Sequence, residues 1–304
     1  MRMEASYMND QTANLKRGEK GALLNIAAYL ILAAVKLVIG LVYHSEALRA
    51  DGLNNATDIV ASLAVLIGLR ISQRPADSDH AYGHYRAETI SSLIASFIMM
   101  AVGIEVLIGG AKAVVSGTET EPSFIAAWTA LGSAIVMYGM YVYNSRLADR
   151  IKSSALHAAA KDSRSDAYVS IGAFIGVVTA RFHLPWIDPV IAFLIGIIIC
   201  KTAWDIFKDA SHSLTDGFDL KDLEPYKHTV KEIKEVSRLK DVKARYLGST
   251  VHVEMVITVD PGLSVKEGHE VADEVEYAIK HEHDVTHVHV HVEPEVINKD
   301  RGTN

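Results

Sequence analysis

The sequence predicts a membrane protein with an all-α domain of six transmembrane helices, followed by a cytosolic α+β domain of order α-β-β-α-β. Three observations support this fold class. The 304-residue chain is 49% hydrophobic and 22% charged. Its mean hydropathy of +0.16 lies between that of soluble and wholly lipid-embedded chains. Long apolar segments end near residue 210, and the remainder is polar.

Six segments are long enough to cross a hydrocarbon core about 30 Å thick, which requires about 20 helical residues. The first, fourth and sixth are plain apolar runs, whereas the second and fifth contain acidic residues. Six such segments in succession favour membrane spans over the buried helices of a soluble protein. The predicted spans cover about residues 20–43, 48–72, 87–112, 123–146, 154–181 and 186–208.

Basic residues cluster in the N-terminal tail and in the connections after the second and fourth spans, and the opposite connections carry fewer. By the positive-inside rule this predicts a multi-pass protein of the cell membrane with both termini in the cytosol. Lys36 and Glu105 lie near outer helix ends, and we interpret them as groups that extend to the membrane interface.

The polar C-terminal part has the periodicity of a small two-layer domain, with a ferredoxin-like or metallochaperone-like order of elements. Leu223, Val230, Ile233 and Val236 follow a helical period. The last strand alternates strictly, so its valines face one side. The other side of that strand carries His287, His289, His291 and Glu293. The expected division is an N-terminal tail (1–19), a transmembrane domain (20–210), a cytosolic domain (211–296) and a C-terminal tail (297–304).

The stretch "KDSRSDAYVS" places Asp162 and Asp166 four residues apart in the fifth span, on one face of a helix. The second span repeats this spacing with Asn54 and Asp58. Both pairs lie roughly 9–18 Å from the helix start at 1.5 Å per residue, which is middle depth in the bilayer. If the two helices are neighbours, four oxygen-bearing side chains converge.

An acid at this depth costs about 2.5–3.5 kcal/mol on insertion scales, so three of them favour a functional site. The alternative interpretation is that the acids pair with Lys161 and Arg164, although these lie nearer the cytosolic end and off the face of Asp162 and Asp166. A bound divalent cation offsets the buried negative charge.

Three aspartates and an asparagine offer only hard oxygen donors, which suit Mn²⁺, Mg²⁺ or Ca²⁺ better than softer ions. Zinc favours a nitrogen donor in such a set. Mg²⁺ usually keeps several waters, which makes a four-ligand protein cage less natural for it. The donor set therefore favours Mn²⁺, with Fe²⁺ and Co²⁺ as its neighbours in the divalent series.

Three stretches, "ALRADGLNNATDIVASL", "PADSDHAYGHYRAETI" and "HAAAKDSRSDAYVSIG", resemble the cation diffusion facilitator family, and the likeness covers about residues 15–296. Zinc-type members generally have His in the fifth-span motif, so Asp162 and Asn54 resemble the manganese branch. The resemblance implies a homodimer that exports a divalent cation from the cytosol in exchange for protons. It also implies that the cytosolic domain senses metal and dimerises, and no prosthetic group is expected.

The resemblance also suggests roles for the connection between the second and third spans. Asp77, His80 and His84 match a second metal site of related family members, and the alternative is a solvated polar loop. Arg86 is expected to pair with Asp216, just after the sixth span, and so to hold the helices of two protomers together.

In the cytosolic domain, His252, His291 and Glu293 match regulatory metal-binding positions of the family, with His269 near them. Lys240 stands where some members supply a further His, and its positive charge opposes a complete cation site. The alternative is an exposed polar face with incidental histidines.

Composition excludes several other classes. The net charge of −7 argues against nucleic acid as a partner, and the single cysteine, Cys200, excludes internal disulfides and thiolate metal clusters. Neither an H-E-x-x-H helix nor a P-loop occurs, so we predict a transporter and not an enzyme. The alternatives are a Zn²⁺, Fe²⁺ or Cd²⁺ exporter of the same family, a membrane metal sensor, and a membrane-embedded metalloenzyme.

Overall fold

Runs of apolar and small residues form six long helices in the first two thirds of the chain. The computed structural model describes residues 2–42, 46–116, 124–180, 187–283 and 285–295. The helices are α1 (Arg2–Val42), α2 (Glu46–Ser72), α3 (Arg86–Ser116), α4 (Phe124–Ile151), α5 (Ser154–Ala180) and α6 (Ile187–Leu214). The chain divides into two compact units, Met1–Ser211 and His212–Asn304.

Apolar side chains cover the outside of the six-helix unit, as expected of a surface that faces lipid. Within the described residues, two helical segments are long and apolar enough to span a membrane: Lys16–Ile39, of mean hydropathy 2.3, and Arg86–Gly109, of mean hydropathy 2.1. The exact six-span topology stays a prediction. Large apolar side chains on the outer surface include Leu30, Ile31, Val38, Phe97, Trp128 and Ile135.

One face of α1 is polar and buried. Asn25, Tyr29 and Lys36 share this face because they are separated by four and seven residues, and each is at most 1% exposed. Asn25 Oδ1 accepts a hydrogen bond of 2.7 Å from Asn144 Nδ2 of α4. The interpretation of Lys36 as an interfacial group is wrong, because its side chain lies on the face that α1 turns towards the bundle.

The start of α5 is fixed by residues of the preceding turn and by one residue of α3. Lys152 adopts a φ of 54° in the turn before it. The Ser153 hydroxyl accepts from the Leu156 amide at 3.2 Å. Glu88 Oε1 of α3 accepts from the Ala155 amide at 3.4 Å. A buried carboxylate at the positive end of the helix stabilises it. These contacts set the position of α5, and hence of the acidic residues two turns further along.

The C-terminal unit contains a short 3-10 helix (Leu220–Leu223), α7 (Glu224–Glu232), β1 (Arg238–Leu247), β2 (Thr250–Val259), α8 (Val265–His283) and β3 (His287–Pro294). This order confirms the predicted α+β fold class. The sheet has the order β1-β2-β3, antiparallel between β1 and β2 and parallel between β2 and β3.

One face of this sheet packs against the helices, and the other carries the histidines. As predicted, Val288 and Val290 of β3 are buried. The intervening His287, His289 and His291 are exposed. The core between sheet and helices is formed by residues that include Val230, Val253, Met255, Ile257, Val275 and Ile279.

A capping box begins α8. The Ser264 hydroxyl accepts from the Glu267 amide at 3.3 Å, and Glu267 Oε2 accepts from the Ser264 amide at 2.7 Å. We expect Ser264→Ala to lower the free energy of unfolding of this unit by about 1 kcal/mol, because the Glu267 amide loses its acceptor and Glu267 Oε2 loses the hydroxyl donor. Hydrogen exchange of the α8 amides in the full-length protein measures this. Ser237→Ala, at an exposed serine outside the helices, is the control, and equal exchange in both variants would contradict the prediction.

Candidate metal centre

Helices α2 and α5 bring together the three aspartates that the sequence singled out. One carboxylate oxygen from each of Asp58, Asp162 and Asp166 lies within 4.8 Å of the others. Oxygens bound to one divalent ion at roughly 2.0–2.6 Å are at most about 4–5 Å apart. Asp58 and Asp166 are buried, at 4% and 7% exposed. The three carboxylates therefore lie close enough to share one cation after a small adjustment.

Two asparagines of α2 lie shortly before Asp58 in the sequence, and one of them contacts its carboxylate. Asn54 lies within α2, but its side chain is outside the described residues. Its neighbour Asn55, which the sequence did not single out, is 1% exposed. Asn55 Nδ2 donates to Asp58 Oδ2 at 3.2 Å. Asn55 therefore restrains one oxygen of Asp58.

Tyr29 of α1 is a further member of the site, and sequence reasoning missed it. Its hydroxyl donates to Asp166 Oδ2 at 2.5 Å and lies 3.1 Å from Asp162 Oδ2. The ring is completely buried. The available signal was the polar series of Asn25, Tyr29 and Lys36 along one face of an otherwise apolar helix.

The basic residues near the site make other contacts. Lys161 Nζ lies 3.1 Å from Asp209 Oδ2 of α6. The Arg164 guanidinium lies over the Tyr141 ring, 5.5 Å from its centroid. These contacts argue against the alternative interpretation that the acids serve to pair with Lys161 and Arg164.

Two small cavities, each of about 10 Å³, adjoin the carboxylates. Each is about the size of one water-sized particle. The first is lined by all three aspartates together with Ala61, Ile98, Met99, Val102, Ser165 and Ile199. The second shares Asp162 and is lined mainly by small residues, among them Ala61, Ser62, Ala95, Ala158 and Ala159. Asp162 thus lies between the two cavities.

The connection between α2 and α3 brings Asp77, His80 and His84 together, with one ligand atom of each within 4.8 Å of the others. His80 Nδ1 lies 3.1 Å from Asp77 Oδ1, and His84 Nε2 lies 3.5 Å from Asp77 Oδ2. The backbone amide of His80 donates to Asp77 and lowers the pKa of this carboxyl. The geometry permits a metal site, but that the cluster binds an ion stays a prediction.

The pairing predicted between Arg86 and Asp216 joins the two units and stays a prediction. Arg86 is the first residue of α3. Within the C-terminal unit, the Asp216 carboxylate lies 3.8 Å from Arg245 Nη1.

The residues of the predicted regulatory site do not converge within one chain. His252 pairs with His287, whereas His291 pairs with Val256, four residues further along the strand. At about 3.3 Å per residue, His252 and His291 are about 13 Å apart. His269 lies 3.7 Å from Asp273. A regulatory site stays a prediction, and it would have to draw ligands from two chains.

Within one chain, two of the predicted regulatory residues, Glu293 and His252, contact other side chains. Lys240 Nζ lies 2.5 Å from Glu293 Oε2, so the ammonium group of Lys240 forms an ion pair with one of the predicted metal ligands. The rings of His252 and His287 are 4.3 Å apart. Burial, the neighbouring His287 and Arg245 lower the pKa of His252 to about 4. His252 is therefore neutral at physiological pH.

A bundle of long apolar helices that encloses three carboxylates, followed in sequence by a polar α+β domain, is the arrangement expected of a membrane transporter of cations. Comparison with known protein families agrees. Residues 22–215 match the family described as the cation efflux transmembrane domain, and residues 219–295 match the cation efflux protein, cytoplasmic domain.

Three relatives from Bacillus subtilis (strain 168) match over nearly their whole length. The uncharacterized transporter YdbO is 80% identical over 95% of this chain and 99% of its own. The manganese efflux system protein MneS is 62% identical over 92% and 97%, respectively. The manganese efflux system protein MneP is 33% identical over 90% and 95%. The chain belongs to the cation efflux, or cation diffusion facilitator, family of membrane transporters.

Proposed function

We propose that the protein exports Mn²⁺ from the cytosol in exchange for protons, through the site formed by Asp58, Asp162 and Asp166. The observation that carries this proposal is the convergence of one oxygen from each of three aspartates of α2 and α5. Two relatives whose names assign them to manganese efflux, at 62% and 33% identity, support the choice of ion. The all-oxygen donor set of these three residues suits a hard divalent cation.

Proton exchange follows from the chemistry of the ligands. A carboxylate must be deprotonated to bind a metal ion, so metal and protons compete for the same oxygens. After the site releases Mn²⁺ outside, its carboxylates can bind protons there. The protein then carries these protons inward when the site opens to the cytosol again. Asp58, Asp162 and Asp166 are the groups that carry both cargoes in this scheme.

The second cavity indicates the side from which an ion enters the site. In the predicted orientation α5 begins at the cytosolic side, and Ala158 and Ala159 precede Asp162 by about one turn. The cavity next to these alanines therefore lies on the cytosolic side of Asp162. Its lining of small side chains leaves room for about one water-sized particle beside Asp162, where an ion arriving from the cytosol would enter the site.

The remaining assignments are supported by the distribution of basic and apolar residues and by family membership. The protein is a homodimer in the cell membrane with both termini in the cytosol, and its transmembrane and cytosolic domains cover about residues 20–210 and 211–296. Asp77, His80 and His84 form a second metal site, which the proximity of their ligand atoms supports. Arg86 and Asp216 join protomers near the membrane. The sensor alternative does not account for buried carboxylates in the helical bundle.

A flux assay in proteoliposomes tests the proposal. The protein is reconstituted, a pH gradient is imposed, and uptake of Mn²⁺, Zn²⁺, Fe²⁺ and Cd²⁺ is compared. We expect Mn²⁺ to be transported fastest, with movement of protons in the opposite direction. Protein-free liposomes and a collapsed gradient are the controls. Preference for Zn²⁺ over Mn²⁺, or Mn²⁺ flux without proton movement, would refute the corresponding part of the proposal.

A further inference from the structure

Tyr29 is held rigidly at the metal centre. Its ring is fully buried in a cluster with Leu32 of α1, Met137 of α4 and Ala167 of α5, with Ile59 of α2 packed against it. Packing on four helices fixes the ring, and the ring fixes the direction of its hydroxyl group. The hydroxyl donor therefore occupies a set position relative to the carboxylates.

A buried donor lies within hydrogen-bonding distance of one oxygen of each of the three carboxylates, and the single hydroxyl hydrogen of Tyr29 is shared between Asp166, at the shorter distance, and Asp162. The Tyr29 hydroxyl lies within hydrogen-bonding distance of the Oδ2 atoms of both Asp162 and Asp166. Asn55 Nδ2 donates to the Oδ2 atom of Asp58. An ion that binds any of these carboxylates through both oxygens has to compete with the donor for the lone pairs of Oδ2. An ion that binds through one oxygen does not.

Divalent cations differ in whether they bind a carboxylate through one oxygen or through both. Ca²⁺ takes about 6–8 oxygen ligands at roughly 2.3–2.6 Å and commonly uses both oxygens of a carboxylate. A smaller ion in octahedral oxygen coordination, as Mn²⁺ adopts, is satisfied by one oxygen from each carboxylate. Donors fixed on the second oxygens therefore disfavour the larger ion more than the smaller one.

We propose that Tyr29 is a specificity-determining positioning residue, which restricts Asp162 and Asp166 to binding through one oxygen each and so selects against Ca²⁺. This inference rests on the proposed function of the site. Asn55 has the same role at Asp58. Hydrogen-bonding partners of metal ligands typically change metal affinity by about 10–100-fold when removed.

Competition binding on the purified full-length protein tests the inference. Mn²⁺ binding is followed by electron paramagnetic resonance, and Ca²⁺ is added as competitor. In Tyr29→Phe, which keeps the ring but loses the donor, we expect the ratio of the Ca²⁺ Kd to the Mn²⁺ Kd to fall by about tenfold or more. The line shape of bound Mn²⁺ should also change, because the carboxylates gain rotational freedom. Tyr168→Phe, at a tyrosine of α5 that is 39% exposed, is the matched control.

The outcomes separate this inference from the proposed function. If Asp162→Asn leaves Mn²⁺ binding unchanged, the proposed transport site is wrong. If Asp162→Asn abolishes binding while Tyr29→Phe retains the ratio and line shape of the wild type, only the role of Tyr29 is overturned. Asn55→Ala provides a second variant, for which the ratio must fall in the same direction. A wild-type ratio in this variant would overturn the inference even if Tyr29→Phe failed to fold.

Discussion

Replacing Asp162 with asparagine is expected to abolish Mn²⁺ transport while leaving the fold intact. The substitution keeps the shape of the side chain and removes one of three negative charges that face the ion. Breaking a buried charge pair costs about 3–5 kcal/mol, and each 1.4 kcal/mol is a factor of ten, so affinity should fall at least about a hundredfold. Flux in proteoliposomes and Mn²⁺ binding in detergent both measure this.

Asp209→Asn is the matched control for this experiment. Asp209 pairs with Lys161, its side chain is 71% exposed, and it is not part of the metal centre. We expect near wild-type flux in this variant. Equal flux in both variants would remove Asp162 from the transport mechanism, and a protein that lost its fold on Asp162→Asn would assign the residue a structural role.

Replacing Asp162 with histidine should shift transport towards Zn²⁺. An imidazole supplies the nitrogen donor that zinc prefers in such sites, and it removes one hard oxygen ligand. We expect the ratio of Zn²⁺ to Mn²⁺ flux to rise by about tenfold or more, an effect of about 1.4 kcal/mol. The measurement is parallel flux of the two ions across the same pH gradient.

Comparison with Asp162→Asn separates the two consequences of this change. Both variants lose the carboxylate, but only the histidine variant gains a ligand for zinc. A histidine variant that keeps its preference for Mn²⁺ and gains no Zn²⁺ flux would contradict the link between the oxygen donor set and ion choice.

Much of the fold was predictable because hydropathy and periodicity are local properties of the sequence. Their spacing by four residues placed Asp162 and Asp166 on one face of a helix. The number of residues between the start of the second span and Asp58 placed Asp58 at a similar depth in the membrane. The structure brings these three side chains together. The alternation of β3 likewise identified Val288 and Val290 as core residues, and they are buried.

The partners of the carboxylates were not predictable in the same way. Tyr29 reaches Asp162 across 133 positions of sequence, and no local pattern indicates which face of α1 meets α5. Lys36 was assigned to the membrane interface because of its position near a helix end, but the orientation of α1 buries it. Packing against the other helices decides how α1 is rotated about its own axis, and the local sequence does not show this rotation.

The cytosolic domain shows a similar limit. The alternation of β2 and β3 identifies which side chains share a face, but not the register in which the two strands pair. The parallel register places His252 beside His287 and away from His291. A histidine-rich strand therefore did not by itself define a metal site.

The ion pair between Lys240 and Glu293 has a consequence for the metal affinity of the predicted regulatory site. A divalent ion that binds Glu293 through Oε2 has to displace the ammonium group of Lys240. Both side chains are partly exposed. Such a pair is worth about 0–1 kcal/mol, so the metal concentration needed rises by up to about fivefold. If the predicted regulatory site uses Glu293, Lys240 therefore makes it respond at a higher metal concentration than the same site would without this lysine.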